Sequence, residues 1–179
     1  MIVLAGASAS GKTEVAKRLA AKYGIEKVIT TTTRPIRVNE VDGRDYFFVS
    51  IEKFHEMVDE EKFVEYTVYN GNMYGSTKDQ IQPNKCIVID PIGLDAYISL
   101  NDPTIVTFFL KSNEKTRYKR MIERGDSIEN AKQRILNDKV AFKKEHLKSV
   151  NYKINSETAS IEEVCDEVYR LYQEHIKNL

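Results

Sequence analysis

The sequence predicts an α/β fold: a parallel sheet covered by helices on both faces, with a small antiparallel β subregion near the middle of the chain. Three observations carry this expectation. Short β-branched apolar runs alternate with helical patterns, a glycine-bearing loop joins the first strand to the first helix, and an Asn-Gly turn separates two strand-like runs.

The strands are expected at Met1 to Ala5, Lys85 to Asp90, Thr104 to Leu110 and Tyr152 to Ile154. Each is a nearly unbroken apolar run, as strands buried on both faces require. Helices are expected after Gly11, Ser50, Pro91 and Ser112, with a long one from Ser127 to about Ser149. The last helix has the clearest pattern. Ile161, Val164, Cys165, Val168, Leu171 and Tyr172 fall on one face, and Ser160 with Glu163 forms a capping box. In the middle, Phe63 to Tyr69 and Met73 to Ser76 flank Asn70-Gly71-Asn72, which predicts a hairpin with a tight turn.

At 179 residues, 41% of them hydrophobic, the chain can bury one sizeable core and is short for two. Its 27 basic and 27 acidic side chains cancel, so bulk charge draws it neither to nucleic acid nor to an anionic membrane. The charged stretch from Lys139 to Lys148 is interrupted by Phe142 and Leu147 and reads as a solvated helix face. Any bound anion must therefore be held by local geometry. Cys86 and Cys165 lie far apart inside apolar runs and read as core thiols in a reducing compartment. No apolar run approaches the roughly 20 residues of a membrane span, and the chain opens on a strand-like run with no leader pattern. The expectation is a soluble cytoplasmic protein, with monomer and homodimer both open.

Residues 6 to 13 read G-A-S-A-S-G-K-T, which fits G-x-x-x-x-G-K-[ST] with a strand before and a helix after it. At ordinary residue usage the four fixed positions arise by chance in roughly one chain of this size per hundred. The chemistry needs those types. Gly6 and Gly11 let the backbone N–H groups of Ala7, Ser8, Ala9 and Ser10 curl around phosphate oxygens, and the following helix turns its positive end toward them. Lys12 supplies a point charge to the β and γ phosphates, and the Thr13 hydroxyl can join the coordination sphere of a Mg²⁺ ion brought by ATP.

Many such loops serve hydrolysis, so an acceptor needs its own residues. The segment TTTTRPIRVNEVDGRDY, from Thr30 to Tyr46, clusters Arg34, Arg37 and Arg44, and arginine clusters bind phosphate bidentately. On composition alone, a second phosphate site and a solvated basic loop stand level.

The longer string TTRPIRVNEVDGRDYFFVS, followed by FVEY and GNMYGS, resembles the guanylate kinase family over essentially the whole chain. The resemblance implies a P-loop NTPase-type core (about residues 1–30, 84–120 and 150–179), an acceptor-binding β subdomain (about 31–83) and a helical lid (about 121–149). It implies that Arg34, Arg37, Tyr46 and Tyr74 hold the phosphate of GMP or dGMP, while Thr30, Glu65 and Ser76 address its guanine. Bottom-up chemistry agrees for Glu65, since a carboxylate can accept from both N1–H and the N2 amino group, a donor pair adenine lacks. Asp90 ends the strand-like KCIVID at its C-terminal end, where open α/β sheets bind ligands, and is expected to face the acceptor base or a water of the metal. A helix cap is the structural alternative there. By the same resemblance Arg120, Arg124 and Arg134, in RMIERGDSIENAKQR, are lid arginines that neutralise the transferring phosphoryl, and Asn155 lies near the adenine of ATP.

The chain departs from the family pattern in places. Val88 and Ile92 replace polar residues, Asp126 replaces a threonine, Ala9 replaces a glycine, and STKDQIQPNK (residues 76–85) is shorter than usual. The resemblance implies transfer of the γ-phosphoryl of ATP to GMP or dGMP. A kinase for another nucleoside monophosphate, or a non-catalytic binding module, remains the alternative.

Overall fold

The computed structural model describes residues 1–142 and 149–179. Strand β1 (Ile2–Gly6) is the centre of a five-stranded sheet ordered β2-β7-β1-β8-β9, where β2 is Glu26–Lys27, β7 Lys85–Val88, β8 Val106–Lys111 and β9 Tyr152–Asn155. Every pairing is parallel, as the unbroken apolar runs required.

Alternation along β1 divides the core. Ile2 and Leu4 join Val15 and Leu19 of α1 (Lys12–Tyr23) and Val164, Cys165 and Val168 of α6 (Ile161–Lys177). Met1, Val3 and Ala5 point to the other face, against Leu94 and Tyr97 of α3 (Pro91–Ser99). Both cysteines are buried, and burial pushes their thiols up, Cys86 to about 12 and Cys165 to about 11. The capping box at Ser160 and Glu163 is formed.

The second sheet is ordered β4-β3-β6-β5, with β3 at Thr31–Thr32, β4 at Phe47–Phe48, β5 at Phe63–Tyr69 and β6 at Asn72–Thr77. Strand β5 pairs antiparallel with β6 through the expected turn, where Asn70 (φ 48) and Gly71 (φ 75) both take the left-handed conformation a two-residue hairpin needs. The sheet is mixed, because β3 pairs parallel with β4. Helix α2 (Ile51–Asp59) packs Phe54 onto Phe63, ring centroids 4.4 Å apart. Tyr69, at the hairpin tip, is 66% exposed.

Helices α4 (Glu114–Glu123) and α5 (Ile128–Ala141) follow β8. The long helix expected to reach Ser149 ends in α5 at Ala141, where the Phe142 backbone leaves helical geometry (φ −93, ψ 61). Residues 143–148 of the expected extension, and most of the stretch from Lys139 to Lys148, lie outside the described residues. No helix among the described residues is long and apolar enough to cross a membrane.

Candidate active site

The phosphate loop leaves the C-terminal end of β1, where open α/β sheets bind ligands. A side chain at Gly6 would come within 2.7 Å of the Ser10 hydroxyl and 2.8 Å of the Leu110 carbonyl, so the loop can turn back on itself only with glycine there. Gly11 precedes α1 at φ 98. Ala9 carries φ 61, a left-handed conformation that costs an L-residue about 1–2 kcal/mol and that glycine adopts freely. Replacing Ala9 with glycine is expected to stabilise the protein by about 1 kcal/mol net, raising the melting temperature by about 2–4 °C. A lowered melting temperature would contradict the strain.

Lys12 folds back into the loop and donates to the carbonyls of Gly6 (2.6 Å) and Ala7 (3.0 Å). Burial pulls its ammonium pKa from 10.5 down to about 8; the Asp138 carboxylate works against that shift, and the Arg117 cation adds to it. The loop already carries a carboxylate: Asp138 of α5 accepts from the Ser8 N–H (2.9 Å) and the Ser8 hydroxyl (3.2 Å), and pairs with Arg117 of α4 at 2.6 Å. Arg117 also reaches the Ser8 carbonyl (3.3 Å). An acidic oxygen on a phosphate-loop amide shows that the loop attracts anions. The Ser10 hydroxyl is buried without a hydrogen-bond partner among the described residues.

Three cavities adjoin one another along the top of the sheet. The first, about 580 Å³, lies between Ala9, Thr13, Arg120, Arg124, Ser160 and Lys12. The second, about 620 Å³, runs from Gly6, Ser8 and Lys12 past Asp138 to Asp90 and Ile92. The third, about 190 Å³, is lined by Lys27, Thr30, Glu65, Val88 and Asp90. Lys12 lines the first two, and Asp90 the second and third. This row of adjoining cavities, the trough, leads from the phosphate loop to Glu65.

Glu65 and Ser76 face each other across β5 and β6, and the buried Ser76 hydroxyl donates to Glu65 at 2.6 Å. Burial, and secondarily the Asp90 charge, pushes the Glu65 carboxyl up, while the Ser76 hydrogen bond pulls against it. Asp90 caps α3, accepting from the Gly93 N–H at 2.8 Å, while it also lines the trough. The cap and the site position coexist.

Arg34 is held by Glu40 at 2.7 Å, and its guanidinium lies 5.4 Å from the Tyr46 ring centroid. The Tyr46 and Tyr74 rings meet edge to face at 6.1 Å. Arg34 and the Arg37 N–H, through their hydrogen bonds, keep the Glu40 carboxyl below its usual range. The Arg37 side chain is exposed and makes no ion pair among the described residues. These residues form a second cluster beside the trough, linked to it by Lys27, whose ammonium sits 5.9 Å over Tyr46.

Arg120 donates to the carbonyls of Ala9 (3.3 Å) and Ser156 (2.7 Å), close against the loop. Arg124 pairs with Asp126 at 2.6 Å, and Arg134 is exposed on α5. The carboxamide oxygen of Asn155 accepts from the Glu157 N–H (2.9 Å), and Asn155 lines a hollow beside α6 that shares Ala159 with the phosphate-loop cavity. Glu40, Lys27, Arg117 and Asp138 were not singled out from the sequence. Glu40 lies inside the quoted arginine-bearing string, whereas Arg117 and Asp138 belong to different helices and carry no local signal.

The guanylate kinase family model matches residues 1–175. The guanylate kinase of Novosphingobium aromaticivorans is 41% identical over 83 residues, which is 46% of this chain but only 38% of that protein. The Mycoplasma mobile guanylate kinase is 31% identical over 194 residues, covering 100% of this chain and 94% of its own length. The crystal structure of guanylate kinase from Anaplasma phagocytophilum superposes with a TM-score of 0.64 over 97% of this chain and 84% of that one; at 22% identity it shows the shared fold. The chain belongs to the guanylate kinase family.

Proposed function

We propose that this protein transfers the γ-phosphoryl of ATP to GMP or dGMP, releasing ADP and GDP or dGDP. The observation that carries the proposal is the trough itself: Lys12 is shared by the phosphate-loop cavity and the central cavity, and Asp90 by the central cavity and the one holding Glu65. A donor triphosphate on the loop and a guanine against Glu65 then face each other across Lys12.

The acceptor phosphate oxygen attacks the γ-phosphorus in line, and the bond to the β–γ bridging oxygen breaks as ADP leaves. No side-chain nucleophile is needed, so the residues act by positioning and charge neutralisation. Lys12 would turn from the Gly6 and Ala7 carbonyls to the phosphates, and Arg34, Arg37, Tyr46 and Tyr74 would hold the acceptor phosphate. Thr30, Glu65 and Ser76 would read the base, with Asp90 beside it. Arg120, Arg124 and Arg134 would close from the lid, residues 121–149, as the acceptor subdomain, residues 31–83, closes from the other side. Closure excludes water, the competing acceptor. Asn155, in the hollow that adjoins the phosphate-loop cavity at Ala159, would approach the adenine.

The Thr13 hydroxyl is exposed in the loop cavity, and the described residues contain no group of three or more His, Cys, Asp or Glu arranged to hold a metal. These donors fit a Mg²⁺ ion that arrives on the ATP phosphates and is completed by Thr13. Bound there, Mg²⁺ would neutralise charge on the β and γ oxygens. The proposed setting is the cytoplasm, with nucleotides rather than nucleic acid as partners. A non-catalytic binding module is disfavoured by Lys12, which such a module would not need.

Two results test this reading. ADP release from ATP should depend on added GMP, and release at an equal rate without any monophosphate would point to hydrolysis. The Lys12 titration adds a second test. With its ammonium at about pH 8 in the free protein and raised by bound phosphate, binding takes up a proton above pH 8. The dissociation constant for ATP should therefore rise about tenfold between pH 7 and pH 9. Calorimetric titration at both values checks it, and a constant affinity would contradict the assignment.

A further inference from the structure

The wall behind Glu65 contains a buried chain of hydroxyls. Tyr97, on the inner face of α3 and 1% exposed, lies 3.1 Å from the Ser76 hydroxyl, which lies 2.6 Å from Glu65. The directions are fixed by chemistry. An ionised carboxylate only accepts, so Ser76 must donate to Glu65; its single hydrogen is then committed, and the Tyr97 O–H must donate to Ser76. Burial raises the Tyr97 phenol to about 12, which keeps that proton in place at neutral pH.

We infer that Tyr97 is a positioning residue that holds Ser76 as a hydrogen-bond donor toward the base pocket, and so selects a purine with an acceptor at position 6. The inference rests on the proposed reading of Glu65 and Ser76 as the base-recognising pair. The edge of guanine presents a 6-oxo acceptor beside its N1–H and N2 donors. When guanine donates N1–H and N2–H to Glu65, the Ser76 hydrogen is released to the neighbouring 6-oxo group. By donating into the Ser76 oxygen from behind, Tyr97 occupies one lone pair and keeps the serine hydrogen from turning back toward α3. A 6-amino group would meet that hydrogen with hydrogens of its own. Ser76 itself is buried in the strand. Neither Tyr97 nor its partner atoms reach the reacting phosphates, so the effect belongs to base binding rather than to the chemical step.

The test compares GMP with 6-thioguanosine 5′-monophosphate, which keeps both donors for Glu65 and changes only the acceptor atom to a weakly accepting sulfur. Tyr97→Phe should raise KM for GMP about three- to tenfold with little change in kcat, the range expected when one neutral hydrogen bond is lost. It should change KM for the thio analogue less than about twofold. Ser76→Ala should narrow the preference for GMP over the thio analogue, and adding Tyr97→Phe to it should narrow it no further. Equal losses for both substrates would assign Tyr97 a merely structural role, and an unchanged KM for GMP would remove it from recognition. If Tyr97→Phe fails to fold, Ser76→Ala alone decides: a variant that keeps the full oxygen preference overturns the inference. A wild type unable to phosphorylate GMP overturns the functional reading with it, whereas an active wild type with equal losses overturns only the role of Tyr97.

Discussion

Replacing Lys12 with alanine is expected to lower kcat for phosphoryl transfer by about 10³ or more, with the melting temperature unchanged or raised. The catalytic half follows from position, because among the described residues Lys12 alone lines both the phosphate-loop cavity and the cavity leading to Glu65. On the proposed reading, its ammonium would meet the charge that moves from the γ-phosphoryl to the departing ADP. The stability half follows from the lowered pKa. Between about pH 8 and 10.5 the unfolded chain holds a proton that the folded protein has released, so stability rises with pH across that window. Below it, the folded protein holds a buried charge at a cost, and alanine removes that cost. Steady-state kinetics with a thermal melt checks both halves. Near-normal turnover would remove Lys12 from the reaction, and a collapsed melting transition would make it a structural residue.

Glu65→Ala is expected to lower kcat/KM for GMP by about 10² or more while leaving the low activity toward AMP unchanged. The magnitude comes from losing two hydrogen bonds to a charged acceptor, each contributing about 1.5–3 kcal/mol. It is large because the guanine donors would then be left unpaired against the buried floor of Ser76. Folding should survive, since the carboxylate is held in a site whose burial disfavours its charge. A parallel fall for GMP and AMP would show that the substitution damaged the cleft rather than the reading of the base.

What could be read from the sequence follows physical range. Strands β1, β7 and β8 of the main sheet were legible because burial leaves nearly unbroken apolar runs such as Ile2–Gly6, and β9 was legible by Tyr152 and Ile154, which flank the exposed Lys153. The hairpin was legible because Asn70-Gly71 is a local requirement of its turn. Strands β2, β3 and β4 were not, because two residues cannot show a period, and their pairing is fixed by neighbours distant in sequence. The end of α5 was missed because its polar pattern continues past Ala141 without a glycine or proline to mark the stop.

The site divides in the same way. The loop from Gly6 to Thr13 is contiguous, so its motif named every residue; Thr30 and Glu65 needed the family resemblance, because only the fold brings them to one cavity with Asp90, which the end of its strand marked. Arg117 and Asp138, 21 residues apart on two helices, meet only through packing. Asn155 lies beside this site: its side chain accepts from the Glu157 N–H in a hollow that shares Ala159 with the phosphate-loop cavity.

The most direct test of phosphoryl transfer to a guanine nucleotide is a coupled assay of ADP release with GMP, dGMP, AMP, UMP and dTMP as acceptors at equal concentration. The account predicts rapid release with GMP or dGMP and little with the other three. Preferential turnover of AMP, UMP or dTMP, or release independent of any acceptor, would contradict it.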